Sequence, residues 1–178
     1  MFKAGEGAGR SGSFFFSTYD NKYIIKTMSY QELRKLLSMA EEYTEHFRNN
    51  PRSLICKIFG VFKVKIATTS KVYLMLMENT LQFRDEANID FIFDLKGSTV
   101  ARKYNGKITQ KTTLKDVNFL LAKKVNPLLV NLRTEDRDTL MNALHADVRF
   151  LQGQKLMDYS LLLGIETRIS DSPFDSTR

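Results

Sequence analysis

Cysteine is nearly absent: the one residue, Cys56, rules out an intrachain disulfide. It lies in the apolar run Leu54-Ile55-Cys56, where a buried structural thiol is expected, and a lone thiol suits a reducing compartment. Long hydrophobic runs are also missing. Val72 to Met77 is among the longest and is far too short to span a bilayer. The first residues lack the charged-then-apolar pattern of a secretion signal. The expectation is a soluble cytoplasmic protein whose membrane contact, if any, is peripheral. No internal repeat is visible.

What is present is the make-up of an ordinary globular protein. The 178 residues are 43% hydrophobic and 26% charged, enough for a core in one domain or two small lobes. Lys and Arg outnumber Asp and Glu by 27 to 20, a net charge of +7 that favours anionic partners such as nucleotide phosphates or acidic lipid headgroups. Nucleic acid is disfavoured, because the basic residues are scattered rather than clustered beside aromatics.

Patterning along the chain predicts an α+β fold. Phe14-Phe15-Phe16, a turn at Asp20-Asn21 and Tyr23-Ile24-Ile25-Lys26 read as a β-hairpin. Ser29 and Glu32 form a capping box that opens one long helix. Its apolar face is Leu33, Leu36, Leu37, Ala40, Tyr43 and Phe47, and Asn49-Asn50-Pro51 ends it. Residues 54–66 read as a strand bent at Gly60, Thr68-Thr69-Ser70 as a turn, Val72–Met77 as a buried strand, and Phe91-Ile92-Phe93 as a short strand running into Asp94. Residues 103–112 read as loop, and Thr134 caps a second helix that buries Leu140, Leu144, Val148 and Leu151. Residues 170–176 read as a linker or disordered insert. A hairpin and helix followed by strands and then helices differ from alternating βαβ units.

Gly7, Gly9 and Gly12 satisfy G-x-G-x-x-G. In a dinucleotide-binding fold such glycines follow a strand and open a helix; here no strand is expected before them and a hairpin follows, which is the arrangement of a kinase phosphate loop and argues against a dehydrogenase. Lys26, among Ile24, Ile25 and Met28 on the second hairpin strand, sits where a kinase lysine holds nucleotide phosphates, although a solvated strand lysine has the same local sequence. Glu32 is the candidate partner for that lysine, with Glu41 and Glu42 as alternatives, and Glu32 is also the capping-box residue.

Two strings narrow the reading: Asp94-Leu95-Lys96-Gly97-Ser98-Thr99-Val100-Ala101-Arg102 and Met157-Asp158-Tyr159-Ser160-Leu161-Leu162-Leu163-Gly164-Ile165. With Gly9–Ser13, Ile24–Thr27 and Thr113–Asp116 in the same order, the chain resembles the phosphatidylinositol phosphate kinases from about Gly9 to Ile165. The resemblance implies a two-lobed kinase-like fold. Its N-lobe, residues 1–80, would carry an antiparallel sheet and helices, and residues 81–178 an incomplete C-lobe. It implies a loop over ATP at Gly9, Ser11, Gly12 and Ser13, phosphate binding by Lys26 with Glu32, and a hinge beside the base at Met77, Glu78 and Asn79. Lys96 would reach toward phosphate with Asp94 nearby, Arg102 would organise the lipid-headgroup side, and Asp158 would accept the proton of an inositol hydroxyl. Taken alone, Asp158 would read as a loop-capping residue and Lys96 as a solvated turn lysine. The implied reaction is ATP- and Mg²⁺-dependent phosphorylation of the inositol ring, foremost phosphatidylinositol 4-phosphate to the 4,5-bisphosphate, at the inner face of a membrane with an acidic surface. The 3- and 5-phosphates stay open as substrates, and a homodimer stays open as the assembly.

Asp158 is not preceded by His-Arg, and Leu163 stands where protein kinases place an Asn. In the family a further motif, after a variable insert, supplies the metal-binding aspartate. The sequence stops at Arg178, inside the expected insert, so no metal ligand is assigned within it and little turnover is expected of this polypeptide alone. The competing expectation is an inactive remnant that binds nucleotide or phosphoinositide as a regulator.

Overall fold

The computed structural model describes residues 3–5, 13–65, 71–83 and 88–166. The glycines at 7, 9 and 12, the expected turn at 68–70 and the expected linker lie outside them. The chain divides into two compact units: Met1–Gln82 with Arg133–Met157, and Phe83–Leu132 with Asp158–Arg178.

The first unit is built on an antiparallel sheet. Its strands are β1 (Lys3–Gly5), β2 (Phe15–Ser17), β3 (Tyr23–Met28), β4 (Ile58–Val64) and β5 (Val72–Glu78), in the order β1-β2-β3-β5-β4. The predicted hairpin is β2–β3; contrary to expectation a short strand, β1, precedes the glycines and pairs antiparallel with β2. Asn21 takes the left-handed conformation in its turn (φ 55°), which asparagine tolerates better than most residues. Asp20 closes that turn, its Oδ1 accepting from the Thr18 hydroxyl at 2.6 Å and from the Lys22 N–H at 3.2 Å. The expected strand at 54–66 is shorter, and its bend is a register shift between Ile58 and Gly60 on the β5 side. A Cβ at Gly60 would meet the Phe62 ring at 3.1 Å, so the glycine leaves room for that ring.

The single helix expected from Ser29 to Asn49 is two helices, α1 (Tyr30–Ser38) and α2 (Ala40–Asn49). They meet at Met39, whose φ and ψ of −114° and 8° leave the helical well. Met39 is buried, and its N–H closes a tight turn onto the Leu36 carbonyl at 3.2 Å. The Ser38 hydroxyl donates to the Lys35 carbonyl, a local bond that competes with helix continuation. Apolar spacing runs through the break without a change of face, which is why periodicity misses it. Leu33, Leu36, Tyr43 and Phe47 are half-buried, as expected, whereas Leu37 and Ala40 are exposed.

Helix α4 (Thr134–Gly153) belongs to the first unit, although the expected division near residue 80 places it with the second lobe. Its cap is Arg133 rather than Thr134, with no side-chain capping bond. The Arg133 guanidinium instead holds Asp136 at 2.8 Å in the first turn. Val148 is exposed, contrary to expectation, and the buried position is Asp147. Its Oδ1 accepts from the Ser53 hydroxyl and pairs with His46 Nε2, both at 2.7 Å, and its Oδ2 accepts the Leu54 N–H at 2.7 Å. Phe150 stacks on the His46 ring at 4.5 Å. One carboxylate thereby ties α4 to α2 and to the segment leading into β4.

The second unit centres on β6 (Ile89–Leu95), flanked by parallel β7 (Thr113–Lys115) and antiparallel β8 (Leu161–Glu166). Helix α3 (Asp116–Val125) follows β7 directly. Phe93 is fully buried, with Leu114 and Ile89 nearly so, and its ring meets Phe119 edge-on at 5.2 Å. Neither β7 nor α3 is predicted from the sequence. β7 is three residues long, and Leu120 and Leu121 of α3 are both exposed, which blurs the helical stripe.

Candidate functional site

In the first unit the site is organised by Lys26. On β3 it lies opposite Phe15 of β2 and Met75 of β5. The pleat puts Ile24, Met75 and Met77 on the same face of the sheet. Lys26 Nζ donates to Glu32 Oε1 at 3.2 Å and stands 6.0 Å from the centroid of the Phe15 ring. Glu32 carries out both expected roles at once. Its Oε2 accepts the Ser29 N–H at 2.7 Å while its own N–H donates to the Ser29 hydroxyl at 3.2 Å. Burial would raise the Glu32 carboxyl, but Ser29 and the Lys26 ammonium outweigh it and hold the group below its usual range. Glu41 and Glu42 sit exposed in the first turn of α2 and line an acidic depression with Glu45 and His46, the wrong sign for phosphate.

The glycine-loop residues Gly9, Ser11 and Gly12 lie outside the described residues, and Ser13 is the first one described. Immediately after it, the Phe14 N–H donates to Thr27 Oγ1 and the Phe14 carbonyl accepts the Thr27 N–H. The segment leaving the glycines is therefore pinned one residue from Lys26. At the end of β5, Glu78 lies between two anchors: its N–H donates to the Lys57 carbonyl at 2.8 Å and its carbonyl accepts the Cys56 thiol at 3.2 Å. Asn79 is tied to the hairpin turn, its N–H donating to the Lys22 carbonyl and its Nδ2 to the Asn21 carbonyl. Burial, with Glu78 nearby, pushes the Cys56 thiol up to about 11, so it stays protonated and acts as the structural group expected, though half-buried.

In the second unit the register of β6 with β8 pairs Leu95 with Leu161, so residues just past Leu95 run beside those just before Leu161. This brings Lys96 and Asp158 together across 62 positions of sequence, with Nζ donating to Oδ1 at 3.3 Å. Asp158 adopts the left-handed conformation (φ 60°), and its side chain is 87% exposed. Aspartate is one of the few residue types that tolerates that backbone. The result is an accessible carboxylate on a constrained turn, with one cation beside it.

Arg102 and Asp94 form the inner part of this cluster. The Arg102 guanidinium donates to Asp116 Oδ2 at 2.8 Å and to Asp94 Oδ2 at 3.0 Å, and also to the Asp94 carbonyl. Its side chain is only 14% exposed, so two carboxylates engage the group expected to face the headgroup. The residue that spacing missed is Asp116, at the start of α3. Its Oδ1 accepts the N–H groups of Lys96 at 2.9 Å and Gly97 at 2.8 Å. Asp116 appears in the family-like string, but no local pattern links it to Lys96, 20 residues away.

Burial opposes ionisation of Asp116, yet Arg102, its own N–H and those of Lys96 and Gly97 hold its carboxyl at about 2. This lies below the unfolded value of about 3.9. The contribution to stability is therefore complete above about pH 4 and lost as pH falls through the folded value. Urea unfolding between pH 5 and pH 2 is expected to show a steeper acid loss for the wild type than for Asp116→Asn. Parallel curves would refute this origin of acid sensitivity.

Among the described residues no group of three or more His, Cys, Asp or Glu is placed to hold a metal ion, and no helix is long and apolar enough to cross a membrane. The family model for phosphatidylinositol-4-phosphate 5-kinase matches residues 2–177. The chain belongs to that family. It is 38% identical over 164 residues to phosphatidylinositol 4-phosphate 5-kinase 8 of Arabidopsis thaliana, covering 92% of this chain and 20% of that protein. It is 34% identical over 163 residues to the kinase its3 of Schizosaccharomyces pombe, covering 88% of this chain and 21% of that protein. It is 36% identical over 159 residues to the type-1 beta kinase of Gallus gallus, covering 88% of this chain and 28% of that protein. The chain thus spans 20–28% of the length of these curated relatives. The family match accords with the α+β fold, whose antiparallel sheet and helices are those of a partial kinase-like domain.

Proposed function

We propose that this chain carries the nucleotide-binding and proton-accepting residues of an ATP-dependent kinase acting on the inositol ring of a phosphatidylinositol phosphate, converting the 4-phosphate to the 4,5-bisphosphate. The observation that carries the reading is the exposed Asp158 carboxylate on its left-handed turn, 3.3 Å from Lys96. The names of the three relatives given above, each a phosphatidylinositol 4-phosphate 5-kinase, support the choice of substrate.

The residues present fit a nucleotide phosphate. Lys26 is a cation partly shielded from water and already oriented by Glu32. Bound ATP with Mg²⁺ supplies the phosphoryl group and neutralises its charge. The described residues offer no carboxylate cluster for Mg²⁺, so no step is assigned to a protein–metal contact. In this reading Lys26 holds phosphate oxygens, Met77, Glu78 and Asn79 border the base, and Asp158 accepts the proton of the attacking hydroxyl. Lys96 orients that carboxylate and offsets negative charge beside it. Asp94 and Arg102 act from within, as supports of the Lys96 turn. The net charge of +7 favours peripheral contact with an acidic membrane surface.

Titration with a fluorescent ATP analogue tests the phosphate site. Lys26→Met is expected to weaken affinity about 10- to 100-fold, the loss of one hydrogen bond to a charged group. Glu32→Gln keeps a capping-box acceptor but removes the ion pair; it is expected to weaken affinity with little change in melting temperature. Unchanged affinity in both variants would remove Lys26 from the site.

A further inference from the structure

We infer that Asp116 is the positioning residue for Lys96: its carboxylate fixes the Lys96-Gly97 turn so that the Lys96 ammonium is delivered to Asp158, and Arg102 is its counter-ion rather than a headgroup ligand. The inference rests on the reading of Lys96 as a lysine beside the transferred phosphate. The geometry supplies the rest.

Gly97 has φ 71°, a conformation that side chains rarely adopt, and a Cβ there would meet nothing within 4 Å. Backbone conformation, not space, thus selects glycine at 97. Two successive N–H groups, those of Lys96 and Gly97, converge on one oxygen, Asp116 Oδ1. Such paired N–H groups form an anion-binding concavity, here filled by the protein's own carboxylate. The other oxygen, Oδ2, accepts from Arg102 Nε at 2.8 Å, and the same guanidinium reaches Asp94 at the end of β6. Asp116 is 7% exposed and too enclosed to meet a substrate itself. It acts through the turn. The direction in which the Lys96 side chain leaves the backbone follows from the two peptide groups that Asp116 holds. Without that acceptor, nothing else among these contacts fixes the Lys96 and Gly97 N–H groups.

An acyl-phosphate derivative of ATP tests the assignment. A lysine amine beside the nucleotide phosphates attacks the acyl carbon, an amide forms, the acyl–phosphate bond breaks and ATP leaves. The labelled lysines are then identified by peptide mass spectrometry. In the wild-type chain, Lys26 and Lys96 are both expected to be labelled, and excess ATP to protect both. Asp116→Ala is expected to lower labelling of Lys96 about tenfold, the cost of a small misplacement, while Lys26 stays within about twofold. Asp116→Asn keeps an oxygen for the two N–H groups but loses the charge facing Arg102, and it is expected to retain most of the Lys96 labelling. A role confined to the Asp116–Arg102 charge pair would instead lower Lys96 labelling in both variants. Should Asp116→Ala lose labelling at both lysines through unfolding, the Asn variant decides: retained labelling of Lys96 supports the inference, and its loss overturns it. Full labelling of Lys96 in Asp116→Ala also overturns it. Lys26 labelled without Lys96 in the wild type defeats the inference alone, whereas neither lysine labelled defeats the phosphate-site reading and the inference with it.

Discussion

Asp158→Asn, in the protein that carries this chain, is expected to lower turnover about 10²- to 10⁴-fold, the usual contribution of a positioned general base, with nucleotide affinity close to wild type. The substitution is nearly isosteric. It preserves an acceptor for the Lys96 ammonium, now at 3.3 Å. It also preserves the backbone, because Asn tolerates the left-handed conformation seen at Asp158 (φ 60°) as well as Asp does. What it removes is the ability to take a proton from the inositol hydroxyl. Initial rates against ATP concentration separate the possibilities, since loss of an interaction made only in the transition state lowers kcat and leaves KM in place. Asp158→Ala would be a poorer probe, because alanine in that conformation adds strain of about 1 kcal/mol. A loss in Asp158→Asn of less than about tenfold would take the general-base role away from this residue.

Asp147→Ala is expected to destabilise the chain by about 3–5 kcal/mol, because it removes a buried carboxylate and leaves three hydrogen-bond partners unsatisfied, at about 1–3 kcal/mol each. That is a large share of an ordinary domain's total of about 5–15 kcal/mol. Asp147 is 4% exposed and satisfies three groups at once: His46, the Ser53 hydroxyl and the Leu54 N–H. Truncation leaves each of them without that acceptor, and His46 is itself buried. One helical position later, Val148 is 41% exposed, and Val148→Ala is expected to shift stability by no more than about 0.5 kcal/mol. Urea denaturation of the two variants side by side measures the contrast. Similar midpoints for both would show that α4 is not held through Asp147. Lys26 and Glu32 make none of these contacts, so nucleotide affinity of the folded Asp147→Ala protein is expected to be retained.

The features legible in the sequence are those whose causes are local. The β2–β3 hairpin is written in two aromatic and β-branched runs around Asp20-Asn21, and the α1 start in the Ser29–Glu32 box. The Lys26–Glu32 pair follows from both, since a strand ending at Met28 and a helix starting at Tyr30 leave little freedom between positions 26 and 32. Features that depend on distant partners were not legible. Lys96 and Asp158 could be named from the family-like strings, but their contact depends on the β6–β8 register. Asp116 and the His46–Asp147 pair leave no mark in hydrophobic spacing, because a buried carboxylate reads as a surface residue until its donors are known. The same blindness made Val148 rather than Asp147 the expected buried position of α4, and no spacing announces that Asp94 and Asp116 both engage Arg102. The break at Met39 escaped for the opposite reason: the apolar stripe continues through it unchanged.

The central claim is that Lys26, Lys96 and Asp158 serve phosphoryl transfer to a phosphoinositide. The most direct measurement is the transfer of ³²P from γ-labelled ATP to phosphatidylinositol 4-phosphate in vesicles, by the protein that carries this chain and by its Asp158→Asn variant. Label in the bisphosphate with the wild type, lost with the variant, is the predicted result. Tight binding of ATP and vesicles with no transfer by either protein would contradict it, and would leave a phosphoinositide-binding regulator in place of an enzyme.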